Sequence, residues 1–382
     1  MSREFLQIMD DWKGFVGARD GGIKLSEAAL VQTLDLLSNK AGWPGYKWEC
    51  ALKEAITTSD FPYLFSNVVD RQMLARYKTW LPDWQAYCKT SALPDFNVAR
   101  RHKVWGANQL LPEVTEKGEY LVAAVGEGRY SLQVKKRGRQ FDISWEAMIN
   151  DIMNAFGDIP QRFADAAIYS EAYLVTGLFA AAAGPTPLLF GAPIVDVDGA
   201  NVTNQGVLAL TIANLETTLG LMAAQRDAHG VPISVQGIHL VVPPLLKLTA
   251  LAILNSPIVQ WTEVGAGAGA PMPTTNTLTL PGVGIKLHVD ANLPIVDVSG
   301  NRNGTWYLFA DPGQGQAMEF ARLRGNETPE ICMKASDKVT VGGGSLSPFS
   351  GDFATDNIFY RVRIVCGGTQ LDPRFAYSQV HT

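Results

Sequence analysis

The sequence predicts an α+β protein, and three observations predict it. Residues 1–98 carry apolar side chains mostly at helical spacing. Residues 99–142 change to extended chain and lead into a helix, and residues 184–324 alternate short strands with amphipathic helices.

In residues 1–57, Ser26 is placed to cap a helix carrying Leu30, Leu34 and Leu37, and Gly42 and Pro44 break it, so the stretch reads as a helical arm. Residues 58–98 form the next segment, ahead of the extended chain. The run from Asp60 to Lys89 is helical in pattern and rich in rings (Phe61, Phe65, Tyr77, Trp80, Trp84, Tyr87), most of them expected in the core, and Pro94 ends it.

Residues 99–142 read as a long hairpin, with Gly126 and Gly128 suited to the turn between its strands. The first limb holds Glu113, Glu116, Glu119 and Glu127 against Lys117; the second holds Arg129, Lys135, Lys136, Arg137 and Arg139 and no acid. A solvated strand edge is the plain reading of such a charge run. Ordering an extended hairpin, however, costs about 1–2 kcal/mol of backbone entropy per residue, which calls for a partner surface. Limbs of opposite charge suit identical subunits that dock head to tail, whereas a polyanion would be repelled by the acids. These nine residues are the expected intersubunit contacts.

Ser144 stands where an N-cap belongs, and Trp145, Met148, Ile149, Ile152, Met153 and Phe156 share one helical face. Gly157 is expected to break this helix, and Asp158 and Pro160 to start an alanine-rich one running to Ala183. Residues 143–183 thus make a spine of about 40 residues, near 60 Å if straight. Residues 184–324 are expected to form a compact α/β or α+β unit. It contains a PIVDV/ANVT hairpin, a helix from about Gly206 to His229 ended by Gly230, the buried strand IHLVV and the helix PPLLKLTALAIL. After a flexible VGAGAGAPMP loop, TWYLFAD and AMEFARLR read as strands. In residues 325–382, NIFYRVRIVCGG alternates Arg361 and Arg363 with Val362, Ile364 and Cys366.

Several function classes are excluded by what the chain contains. At 382 residues it can bury a sizeable core without staples. A formal charge of −5 argues against a dedicated nucleic-acid binder. Cys50, Cys88, Cys332 and Cys366 are far apart and read as free thiols of a reducing compartment. No secretory signal is visible, and the longest apolar run, AYLVTGLFAAAA, is too short to cross a bilayer. No phosphate loop, dinucleotide fingerprint or GxSxG elbow is present. His102, His229, His239, His288 and His381 never fall at metal-ligand spacing, and Asp196, Asp198 and Gly199 read as a plain turn rather than a calcium loop. No catalytic residue, cofactor site or metal site is expected; a hydrolase would need a nonlocal active site.

In this order, the pieces resemble the major capsid protein of tailed bacteriophages, whose architecture is often called the Johnson fold. The resemblance runs over most of residues 60–377 and implies a peripheral domain made of residues 58–98, the spine at 143–183 and residues 325–382, and an axial α/β domain at 184–324. It rests chiefly on the passage from QFDISWEAMIND into the spine and on the helix ending RDAHGVPI followed by HLVVPP. It implies a structural protein whose hexamers and pentamers close an icosahedral shell around double-stranded DNA, touched weakly and non-specifically. It further implies portal, scaffold and decoration proteins as partners, no membrane, and assembly in the bacterial cytoplasm into the virion capsid. In some relatives the N-terminal region is a scaffold segment removed during maturation. The same fold serves encapsulins, which enclose enzyme cargo, and this is the alternative reading.

Overall fold

The computed structural model describes residues 73–80, 82–106, 111, 113–120, 122, 125–144, 155–261, 272–280, 283–343 and 350–381. The expected arm at 1–57, the first turns of the spine at 145–154 and the glycine-rich loop lie outside the described residues.

Along the chain come helix α1 (residues 73–79) and strands β1 (Lys89–Leu93), β2 (Ala99–Trp105), β3 (Gly126–Leu132) and β4 (Lys135–Ser144). Helix α2 (Ala155–Phe179) leads to β5 (Ile194–Val195), β6 (Asn201–Val202) and β7 (Gln205–Gly206). Then follow α3 (Ile212–Ala223), β8 (Gly237–Val242), α4 (Lys247–Asn255), β9 (Lys286–Val289) and β10 (Trp306–Ala310). The chain closes with β11 (Met318–Leu323), β12 (Glu330–Met333), β13 (Asn357–Gln370) and β14 (Ala376–Gln379).

Two compact units result. The larger comprises Pro82–Lys135, Ser170–Glu327 and Val365–Thr382; the smaller holds the described parts of Met1–Leu81, Lys136–Tyr169 and Thr328–Ile364. These bounds differ from the sequence expectation. Residues 82–98, 170–183, 325–327 and 365–382, expected in the peripheral domain, belong with the axial residues, and 136–142 leave the hairpin for the smaller unit. Strand pairing is the reason: β1 lies parallel to β11 from Lys89↔Glu319 to Leu93↔Leu323, and β14 sits between β10 and β7. Lys89 therefore opens a strand where a helix was expected, although Trp84 and Tyr87 are buried as expected.

The larger unit is built on a mixed sheet in the order β9-β8-β10-β14-β7. The run WYLFA of β10 is buried throughout, because both faces of the strand are covered. Trp306, Leu308 and Ala310 pack with Leu215 and Met222 of α3 on one side. On the other, Tyr307 meets Phe179 at 5.0 Å between ring centroids, and Phe309 stacks on Tyr87 at 5.2 Å. Each such buried side chain contributes about 1.5–3 kcal/mol of transfer free energy. Helix α3 is shorter than its periodicity predicts. It begins at Ile212 behind the Thr211 cap, because Gln205 and Gly206 are held as a strand beside β14. It ends at Ala223, and Asp227 to Gly230 then close a turn.

In the smaller unit, the first half of β13 pairs with β12 from Glu330↔Arg363 to Met333↔Tyr360, and with β4. Met73, Phe163, Ile358, Tyr360 and Val362 form the core, with Phe141 of β4 stacked on Tyr360 at 5.3 Å. Helix α2 continues through Gly157 and Pro160, where a break was expected, and spans about 37 Å at 1.5 Å per residue. A glycine lowers helix stability by about 1 kcal/mol relative to Ala, which neighbouring turns absorb. The helix stops at Phe179 rather than Ala183, since Ala180 and Ala181 pair with Gly184 and Pro185.

Candidate assembly surfaces and the hairpin anchor

The hairpin is real but its limbs differ from those expected. Strand β2 pairs with β3 from Ala99↔Leu132 to Trp105↔Gly126, so Gly126 and Gly128 lie within a strand and not in its turn. Close approach explains them. A Cβ on Gly126 would lie 2.7 Å from the Trp105 indole, and one on Gly128 would lie 2.8 Å from Val197. Glu113, Glu116 and Glu119 fall in the connecting loop, where Gly118 donates to the Thr115 carbonyl at 2.8 Å and closes a turn with Glu116 near its tip. Leu111 and Val122 of that loop are 88% and 96% exposed. Glu127 and Arg129 are exposed on β3.

Of the five basic residues only Arg129 lies on the second limb. Leu132 and Val134 are buried with Leu93, Ala321 and Val365, which ends the hairpin at that core. Lys135, Lys136, Arg137 and Arg139 follow on β4, exposed and paired to β13 instead. Together with Arg361 and Arg363, the residues Lys136, Arg137 and Arg139 line a groove of about 320 Å³ that has no acid in its wall. Gly138 lets the strands meet, since a Cβ there would stand 2.5 Å from the Val362 carbonyl oxygen. Arg363 pairs with Glu330. Burial pushes the Glu330 carboxyl up, but hydrogen bonds from Arg363 and Cys332 pull it below its usual value. Among the described residues, none of the nine expected contact residues forms an ion pair.

A second set of charges escaped the sequence reading. Arg101 of β2 clasps the fully buried Glu319 of β11, donating from Nε at 2.9 and 3.0 Å and from Nη2 at 2.6 Å. Two residues on, Lys103 Nζ lies 2.5 Å from Asp196 Oδ2, 2.5 Å from Asp372 Oδ2 and 3.3 Å from Asp198 Oδ2. Arg374, 1% exposed, closes the cluster, with Nη1 2.7 Å from Asp196 and Nη2 2.8 Å from Asp198. Tyr130 donates its hydroxyl to Asp196 Oδ1 at 2.7 Å. Burial pushes the Asp196 carboxyl up, yet hydrogen bonds from Lys103 and Tyr130 outweigh it and hold the group below the usual carboxylate range. Burial likewise pulls the Lys103 ammonium down, and Asp372 and Asp196 more than restore it. Asp196 to Gly199 is a turn, closed by a 2.9 Å hydrogen bond from Gly199 N to the Asp196 carbonyl, and its two carboxylates pair with Lys103 and Arg374.

His239 and His288, far apart in sequence, meet across β8 and β9 with Nδ1 and Nε2 2.9 Å apart. Burial first, then His288 and Lys286, push His239 down to about 4. Among the described residues no group of three or more side chains could hold a metal ion, and no helix is long and apolar enough to cross a membrane. Cys88 and Cys332 are free thiols.

The buried charges of the larger unit are paired with one another, whereas the acidic loop and the basic strand β4 present their charges outward. The sequence model of the family described as Phage capsid protein matches residues 129–379, about two-thirds of the chain. The chain belongs to that family of phage capsid proteins. Solved structures similar to it include the capsid of cyanophage P-SCSP1u, 12% identical over 79% of this chain and 88% of that one, with a TM-score of 0.47. The mature capsid of bacteriophage PhiM1 is 10% identical over 79% and 88%, with a TM-score of 0.45. The SrpI encapsulin of Synechococcus elongatus is 9% identical over 81% and 88%, also at 0.45. No curated protein matches the chain.

Proposed function

We propose that this capsid protein gathers as hexamers and pentamers that close an icosahedral head around double-stranded DNA. Portal, scaffold and decoration proteins are further partners, and assembly takes place in the host cytoplasm. Contact with the packaged DNA is weak and non-specific, as a formal charge of −5 requires.

The docking of one copy on the next rests on one observation. The acidic turn around Glu116 and the basic strand around Arg137 are both exposed, and neither has an ionic partner among the described residues. Glu113, Glu116, Glu119 and Glu127 offer carboxylates to a neighbouring copy; Arg129, Lys135, Lys136, Arg137 and Arg139 offer cations. An exposed pair contributes about 0–1 kcal/mol, but a closed shell repeats it at every interface. Electron microscopy of the purified protein is expected to show closed shells or ring-shaped capsomers. A stable monomer at assembling concentrations overturns the reading.

A further inference from the structure

Arg101 and Lys103 stand two residues apart on β2, so their side chains leave the same face of the strand. An exposed strand would turn such cations to solvent. Here each is drawn into carboxylates buried in the larger unit, on residues 93 to 269 positions further along the chain. The register places Tyr130 opposite Arg101, on the same face, and its hydroxyl reaches Asp196. The hairpin is thereby tied at three points: Arg101 on Glu319, Lys103 on three aspartates, and Tyr130 on Asp196. One point leaves a two-stranded ribbon free to swing, whereas three points fix its direction. Isolated two-stranded hairpins are only marginally stable in water, so the ties also supply what β2 and β3 lack by themselves.

We infer that Arg101 and Lys103 are positioning residues for assembly: by seating the base of the hairpin, they set the direction in which Leu111, Val122 and the acidic turn at 113–120 reach a neighbouring copy. The loop needs this. Leu111 and Val122 are nearly fully exposed in the single chain, and burying them against another copy requires that the hairpin arrive preorganised. The inference depends on self-assembly, not on which charges of the neighbour meet the loop. Loss of the ionic docking described above would therefore leave it standing.

The test uses full-length Lys103→Met and Arg101→Lys chains, with Lys103→Arg as the conservative variant. Amide hydrogen exchange is read on β2 and β3 and, as an internal reference, on β10; closed-shell yield is read by sedimentation and electron microscopy. We expect hairpin amides in the first two variants to exchange at least tenfold faster while β10 keeps its protection. Closed-shell yield should fall at least tenfold, and Lys103→Arg should restore most of both. Closed shells at the unmodified yield in both Lys103→Met and Arg101→Lys overturn the inference. If Lys103→Met also deprotects β10, Arg101→Lys decides on the same readouts; loss of β10 protection in both variants assigns the two residues to folding alone and equally overturns it.

Discussion

Lys103 and Asp372 lie 269 residues apart in the chain, and their charged atoms are 2.5 Å apart in the fold. The same aspartate accepts from Arg374, so the β2 end of the hairpin and the turn before the C-terminal strand share one buried ionic cluster. Three carboxylates and two cations meet there, and removing either cation leaves negative charge uncompensated.

Arg374→Leu should therefore be severe. Breaking a buried charge network by removing one partner costs about 3–5 kcal/mol, because the stranded carboxylates lose both their pairing and their hydration. Tyr130→Phe removes one hydroxyl donor from Asp196 and leaves both cations, for a loss of about 1.5–3 kcal/mol. Urea unfolding of the two variants checks the order, and equal midpoints would contradict it.

His239 gives a pH dependence with a definite sign. Its folded-state value of about 4 lies below the ordinary value near 6.5, so the unfolded chain takes up a proton first as pH falls. Stability from this group is fully present above about pH 6.5 and declines towards pH 4. His239→Leu should flatten the curve in that interval. The Asp196 carboxyl acts lower down: its value is depressed, so its contribution is kept above the ordinary carboxylate range and lost only on further acidification. Urea midpoints against pH for His239→Leu and Asp196→Asn separate the two groups.

Replacing Lys135, Lys136, Arg137 and Arg139 together by Ala should lower shell yield and leave circular dichroism and unfolding unchanged. All four are exposed on β4 and make no ion pair with a described residue. Assembly of the unmodified chain should also weaken as salt rises, since the screening length shrinks from about 10 Å at 0.1 M to 3 Å at 1 M. Wild-type yield from the fourfold variant would show those charges to be bystanders.

Gly126→Ala should loosen the hairpin, as the new Cβ would meet the Trp105 indole at 2.7 Å. Overpacking of this kind costs about 1–3 kcal/mol. Trp105→Leu in the same chain should recover part of the loss, and a double-mutant cycle with no coupling between the two sites would refute the contact.

Much of the local structure was legible in the sequence. Leu215 and Met222 on one helical stripe, the buried run in β8, and the alternation of Arg361 and Arg363 with Val362, Ile364 and Cys366 in β13 all appear where periodicity places them. These patterns report which face of an element is apolar, and burial of that face follows directly. The glycines at 126 and 128 were misread because glycine serves both tight turns and close approach. Only the positions of Trp105 and Val197 distinguish the two.

The sequence by itself determined an α+β chain with an extended hairpin, an acidic segment and a separate basic one, and the order of elements that resembles a phage capsid protein. Tertiary structure alone decided that the basic residues belong to a strand paired with β13 and that Arg101 and Lys103 turn inward to buried carboxylates. Periodicity and charge are properties of neighbouring residues, whereas the choice of strand partner and of counter-ion is settled by residues hundreds of positions away, through the requirement that every buried charge be paired.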